Sequence, residues 1–171
     1  YVTGTLGVAA LARLRADRGG TQLRRVPVPR ISAGRALARM GGIHGCIDLS
    51  DGLASDLGQL LDGTSLGAEI ELESLPAPGG FQRACRELGV APGELQSGGG
   101  EDYELLFALA PKAAGRGSTA PGKRLGRPVS SIGRGVRRAG MRDLPPTTSD
   151  QHHRCPPPRP LPFLPPPTRG P

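Results

Sequence analysis

Tryptophan is absent from this chain of 171 residues, and aromatic side chains together make up only 3% of it. Without aromatics interleaved among the cations there is no platform on which nucleic-acid bases could stack, and no nucleic-acid-binding motif is present to replace it. No apolar run is long enough to cross a bilayer, and no secretory signal opens the sequence. The cysteines, Cys46, Cys85 and Cys155, are odd in number and widely spaced, which argues against a disulfide framework and for reduced thiols in a cytoplasmic protein. His152, His153 and Cys155 form one short run in a proline-rich segment, too few ligands for a metal site. The glycine-rich stretches match neither a Gly-Lys-Ser/Thr phosphate loop nor a dinucleotide fingerprint.

What is present is unevenly spread. Of 19 prolines, 11 fall between Met141 and Pro171. That composition cannot offset the entropy of ordering, so residues 139–171 are expected to be a disordered Pro/Arg-rich tail and residues 1–138 the folding unit. The net charge of +7 is segregated as well: Ile43 to Ala110 holds 12 acidic residues against Arg83 and Arg86 alone. The basic residues belong to the flanks, and the acidic middle carries the fold-like patterning. The chain opens on Tyr1-Val2-Thr3-Gly4-Thr5-Leu6-Gly7 without an initiator methionine and reads like the middle of a longer protein.

Periodicity predicts helices over Leu6–Arg15, Ile31–Met40 and the stretch carrying Leu53, Leu57, Leu60 and Leu61. A further helical face, Phe81, Ala84, Cys85 and Leu88, is closed by Gly89, where a helix favours a left-handed residue. Gly45-Cys46-Ile47, the alternating Ala68–Glu73, the apolar Tyr103–Leu109 and Val129–Ile132 read as strands, and Ser97-Gly98-Gly99-Gly100 as a flexible loop. The order implies an α+β domain, a mixed sheet with helices packed on it.

Asp48, Ser50 and Asp51 stand between a strand and the first turn of a helix. Two carboxylates and a hydroxyl are hard oxygen donors suited to magnesium, which completes its shell with water and phosphate oxygens, and free N–H groups at a helix start favour phosphate. Ser and Asp are equally the preferred N-caps, and spacing by itself favours capping over ligation. Gly98 to Asp102 poses the same choice between an ordinary turn and a ligand loop backed by an acidic pair.

Together these stretches resemble thiamine-monophosphate kinases. Tyr1 to Gly7, Pro29-Arg30 with Gly34-Arg35-Ala36-Leu37, Ile47-Asp48-Leu49-Ser50-Asp51-Gly52-Leu53 with Asp56-Leu57, and Gly99-Gly100-Glu101-Asp102-Tyr103-Glu104-Leu105-Leu106-Phe107 occur in the order seen in that family. Leu125-Gly126, Pro128-Val129 and Ile132-Gly133-Arg134 extend the likeness to about residue 135. The resemblance implies the C-terminal domain of the superfamily that includes aminoimidazole ribonucleotide synthetase, with ATP and Mg2+ used to phosphorylate thiamine monophosphate to thiamine diphosphate. It implies Asp48 and Asp51 as metal ligands, Ser50 as an ATP contact and Glu101 as a substrate contact, which reverses the preference for capping. No catalytic residue is carried over, because direct transfer rests on positioning and charge neutralisation.

The resemblance also implies an N-terminal ATP-binding domain with most metal ligands and the homodimer interface, and none of it precedes Tyr1, so this chain is expected to be inactive alone. The family's C-terminal aromatic, which packs on thiamine, has no counterpart in Met141–Pro171 beyond Phe163. Two alternatives stand beside this reading: another ATP-using member of the superfamily, or a basic adaptor or nucleic-acid-binding protein working through its Arg/Pro flanks.

Overall fold

The computed structural model describes residues 1–19, 26–115 and 120–137. The expected tail, 139–171, lies outside the described residues, as does the His152/His153/Cys155 run.

The apolar Leu-Leu-Phe-Ala-Leu run forms a central strand, and the rest of the domain is arranged around it. Twelve elements follow in order: β1 (Val2–Thr3), α1 (Val8–Asp17), α2 (Ile31–Ala38), β2 (Ile43–Asp48), α3 (Leu53–Leu61), β3 (Leu66–Ile70), α4 (Phe81–Glu87), α5 (Pro92–Gly98), β4 (Leu105–Leu109), α6 (Pro121–Leu125), β5 (Val129–Ser130) and β6 (Gly133–Arg137). One sheet has the order β2-β4-β1-β5, and β3 pairs with β6 in a second. The expected α+β class holds, and every described ladder is antiparallel.

Successive side chains of a strand point to opposite faces, so β4 serves two cores at once. Leu106 joins Val2, Leu6, Leu49, Leu53, Leu75 and Ile132. Phe107 joins Leu37 and Met40, with Leu105, Leu109, Leu125 and Val129 packed around them. A strand covered on both faces reads as a continuous apolar run rather than an alternation. The apolar stripe of α3 lies on the first core and that of α2 on the second. A third cluster, Leu11, Phe81, Ala84 and Cys85, joins α1 to α4, with Leu95 of α5 packed against it.

Most predicted elements are present with shifted ends. The alternation of Ala68–Glu73 forms a strand only to Ile70; Leu72–Ser74 turns into a 3₁₀ helix and leaves Leu72 exposed, because the partner strand β6 ends its ladder at the Ile70–Gly133 pair. Ser97-Gly98 is the last turn of α5 rather than the start of a loop. That helix, opened by Pro92 at its first position, was missed because its sequence is short and carries little periodicity. Val129–Ile132 contributes only the two residues of β5, and β6 follows in a Gly-Arg-Gly-Val-Arg segment whose glycines hid it. Gly89 has a φ of +63°, the left-handed closure of α4 expected for it.

Candidate functional site

Four sequence motifs, dispersed over more than 100 residues, meet at the ends of β1, β2 and β4. The pairing of β2 with β4 sets Asp48 opposite Leu105 and carries the strand's continuation, Leu49 and Ser50, along the segment that precedes β4. There the backbone takes over from the ladder. Glu101 N–H donates to the Ser50 carbonyl at 2.8 Å, Tyr103 N–H to the Leu49 carbonyl at 2.8 Å, and Leu49 N–H to the Glu104 carbonyl at 2.8 Å. The acidic turn and the glycine loop thus form one unit. Gly100 is required by this contact, since a Cβ there would stand 2.5 Å from the Ser50 carbonyl oxygen.

The carboxylates divide into committed and free ones. Asp56, buried on α3, reaches back to accept the N–H groups of Asp51 and Gly52, each at 3.1 Å. Gly52, not Ser50 or Asp51, is the N-cap of α3, and no side chain caps there. The capping alternative for Ser50 and Asp51 is therefore not the one adopted; Asp56 does that work from inside the helix. Asp48 and Asp51 are both exposed and take no hydrogen bond or ion pair from the described residues.

Behind the loop lies a buried ion pair that no sequence pattern announced. Arg30 grips Glu104 with two hydrogen bonds, Nε at 2.8 Å and Nη2 at 2.5 Å, and the Thr3 hydroxyl adds a third at 2.7 Å. The Glu104 side chain is 4% exposed and that of Arg30 17%. The bond from Glu104 holds the guanidinium above its ordinary pKa. Thr3 Oγ1 in turn accepts the Leu105 N–H at 2.9 Å. Gly4 lies so close to the Glu104 carboxylate that no side chain fits there.

Asp102 closes the N-terminus of α1 across the chain. It accepts N–H groups from Gly7 at 2.6 Å, Val8 at 3.1 Å and Ala9 at 3.3 Å, where the helix has no capping side chain of its own. An anion at this end also meets the helix dipole favourably. Burial nevertheless pushes the Asp102 carboxyl up, against the pull of those three bonds.

Glu101 is exposed and pairs with Arg13 of α1 at 2.6 Å. Both Glu101 and Tyr103 have left-handed backbones, with φ of +68° and +52°. Such conformations cost a non-glycine residue about 1–3 kcal/mol and persist where the surroundings over-determine them, here through the two bonds to Ser50 and Leu49.

Sequence reasoning therefore located Asp48, Ser50, Asp51 and Glu101 in two motifs, and the fold brings the two together. Arg30, Asp56, Glu104, Asp102 and Tyr103 stood within the quoted motifs but had no individual role assigned, and Arg13 carried no signal beyond its charge. Among the described residues no group of three His, Cys, Asp or Glu side chains could hold a metal ion, and no helix is long and apolar enough to cross a membrane.

Residues 2–136 match the family model for the AIR synthase related protein, C-terminal domain. The chain is similar to the thiamine-monophosphate kinase of Rhodopirellula baltica, with 35% identity over 141 residues, 82% of this chain and 40% of that protein. It is also similar to the crystal structure of thiamine-monophosphate kinase from Stenotrophomonas maltophilia, with a TM-score of 0.68 and 28% identity over 80% of this chain and 46% of that one. Against AaThiL complexed with AMPPCP and TMP the TM-score is 0.62 and the identity 25%, over 80% of this chain and 44% of that one. The chain thus spans less than half the length of these relatives.

Proposed function

Because this chain belongs to the family of AIR synthase related proteins through its C-terminal domain, we propose that it supplies part of the site of a thiamine-monophosphate kinase. The reaction is transfer of the ATP γ-phosphoryl group to thiamine monophosphate, giving thiamine diphosphate, in the cytoplasm and within a homodimer. The observation that carries this reading is the joining of the acidic turn to the glycine loop through Glu101 N–H and the Ser50 carbonyl, 2.8 Å apart. That bond supports the reading because it would keep a nucleotide-side residue, Ser50, next to a substrate-side one, Glu101. The names of the relatives supply the chemistry, and the complex of AaThiL with AMPPCP and TMP is that of a related protein with a nucleotide analogue and this substrate.

The donor set fits magnesium. Asp48 and Asp51 are hard, exposed carboxylates with no partner among the described residues, whereas Asp56 is committed to backbone N–H groups. With only two such ligands, the remaining coordination falls to phosphate oxygens and water, as is usual for Mg2+. Bound there, the ion would neutralise charge on the transferring phosphoryl group.

The rest is positioning by the chain's own residues. Ser50, between the two carboxylates, presents its hydroxyl to ATP. Glu101 meets the cationic ring system of thiamine monophosphate, which takes the place of Arg13. That exchange is inexpensive: the Arg13 and Glu101 side chains are 57% and 58% exposed, and exposed pairs contribute about 0–1 kcal/mol.

The test is a chimera in which residues 1–138 replace the matching segment of the Rhodopirellula baltica relative. Thiamine diphosphate formed from ATP and thiamine monophosphate is the expected outcome. A folded chimera that binds both substrates and makes no product overturns the reading. The 171-residue chain alone is expected to show no turnover, since Asp48, Ser50 and Asp51 are too few contacts for phosphoryl transfer; steady turnover by the purified chain would refute that.

A further inference from the structure

We propose that the apolar hollow between α1 and α4 binds a free medium-chain carboxylate, with its alkyl chain along α1 and its head group on Arg15. The hollow has a volume of about 310 Å3, near the lower end for small-molecule sites, about 300 Å3. None of the described residues lining it belongs to the acidic turn or to the glycine loop.

The sequence leaves this space unfilled. Val8, Leu11, Ala12 and Arg15 follow at the i, i+3, i+4 and i+7 positions of α1 and share one helical face. Leu11 and Phe81 are buried in the cluster that joins α1 to α4, yet their neighbours around the hollow are small: Ala12 on α1, Ala84 on α4, and the Gly79-Gly80 pair before it. A Cβ at Gly79 or Gly80 would meet no atom within 4 Å. Gly80, with a φ of +77°, is the left-handed N-cap of α4. That conformation disfavours a side chain, so the turn itself keeps this end of the hollow open.

The walls select the occupant. Among the described residues lining the hollow, Arg15 alone has a polar side chain. It is exposed and forms no ion pair with the described residues. It lies near enough to α4 for its charge to lower the Cys85 thiol, against the larger upward push of burial. An apolar trough ending at one unpaired cation suits a monoanion with an apolar body. A nucleotide or other polyanion would find a single cation and no further polar side chain. From Val8 to Arg15 the helix rises about 10.5 Å, the length of an extended chain of about eight carbons. With Arg15 exposed, the ion pair forms without taking either charge fully out of water, which avoids the cost of burying them.

Isothermal titration calorimetry of the 171-residue chain with octanoate, kept below its micellar concentration, tests this. Methyl NMR shifts of Leu11, Ala12 and Ala84 report the location. One saturable site that moves these methyls is expected, with affinity rising about two- to fourfold for each carbon from hexanoate to octanoate. The gain should stop by dodecanoate, when the chain outgrows the hollow. Arg15→Gln should weaken octanoate about fivefold, the upper end for an exposed pair, and leave octanol unchanged. Arg83→Gln, on the surface of α4, should alter neither. Ala12→Phe fills the hollow and should abolish binding of both ligands, whereas Ala12→Ser, which keeps the space, should retain it. Ala12→Leu, a milder filling, should favour hexanoate over octanoate.

No saturable octanoate binding, or binding that leaves the three methyls unmoved, overturns the proposal. So does unchanged octanoate affinity in Ala12→Phe and Ala12→Leu chains shown to be folded by circular dichroism. Unchanged octanoate affinity in Arg15→Gln overturns the assignment of the head group. Affinity that keeps rising through hexadecanoate, or binding to phosphatidylglycerol vesicles that Ala12→Phe removes, would make this face a lipid-surface contact and overturn the choice of a free carboxylate.

Discussion

Replacing Arg30 by glutamine isolates the ion pair on which the assembly of the four motifs depends. In the folded chain the Glu104 carboxylate is 4% exposed and receives two bonds from Arg30 and one from Thr3. Arg30→Gln removes the only cation paired with it among the described residues and leaves the buried negative charge with the Thr3 hydroxyl. Breaking one side of a buried pair costs about 3–5 kcal/mol. The guanidinium is 17% exposed, so water gains some access once it is gone, and the lower end, about 3 kcal/mol, is the expected loss. With a urea slope of about 1.5–2 kcal/mol per molar, the unfolding midpoint falls by about 1.5–2 M.

Circular dichroism through a urea titration reads this loss, with Arg83→Gln as the control. Arg83 pairs with Glu87 on the surface of α4, both side chains being more than half exposed, and its loss should stay within about 0.5 kcal/mol. Glu104→Gln together with Arg30→Gln should recover part of the loss, because no buried charge is then left alone. A loss below about 1 kcal/mol for Arg30→Gln, indistinguishable from the α4 control, would refute the argument that this pair fastens the Pro27–Arg30 segment to the glycine loop.

In the chimeric enzyme, Asp48→Asn should reduce activity more than Ser50→Ala, because it removes a negative charge that a magnesium ligand needs while keeping the shape; near-normal rates for both at saturating magnesium would return the acidic turn to a structural role. Glu101→Gln in the same enzyme should weaken thiamine monophosphate about tenfold, on the order of 1.4 kcal/mol, and leave ATP affinity nearly unchanged. The reverse pattern in the two dissociation constants would make Glu101 a nucleotide or metal residue. Asp102 predicts a pH dependence of stability: its folded carboxyl titrates above the ordinary Asp range, mainly through burial. The folded state therefore holds its proton to higher pH than the unfolded one, and stability falls as pH rises from the ordinary Asp value to the raised one. Denaturation across that interval should show this downward contribution in the wild type and not in Asp102→Asn; equal pH slopes in the two would contradict it.

Several local decisions were legible without coordinates because their causes lie within a turn or two of chain. The spacing of Leu53, Leu57 and Leu60 makes α3 whatever surrounds it, and Gly89 ends the helix of Phe81, Ala84 and Cys85 through its own backbone freedom. The apolar run read as a strand over Tyr103–Leu109 did become one, over Leu105–Leu109, inside the four-stranded sheet. The order of the quoted motifs was enough to suggest a family, and with it the candidate residues Asp48, Ser50, Asp51 and Glu101. What sequence could not supply was the partner of each charge. Asp51 and Asp56 look alike in a row of letters, yet one is exposed and the other is spent on the N–H groups of Asp51 and Gly52. Asp102 finds its donors 93 to 95 residues away, at the start of α1, and Glu104 finds Arg30 and Thr3 across 74 and 101 residues. Propensity and periodicity act over a helical turn or a strand's alternation, whereas the state of a carboxylate depends on which donors and how much water surround it. Those are set only when β1, β2 and β4 pair, and so tertiary structure alone decided which acids hold the fold together and which stay exposed without a partner among the described residues.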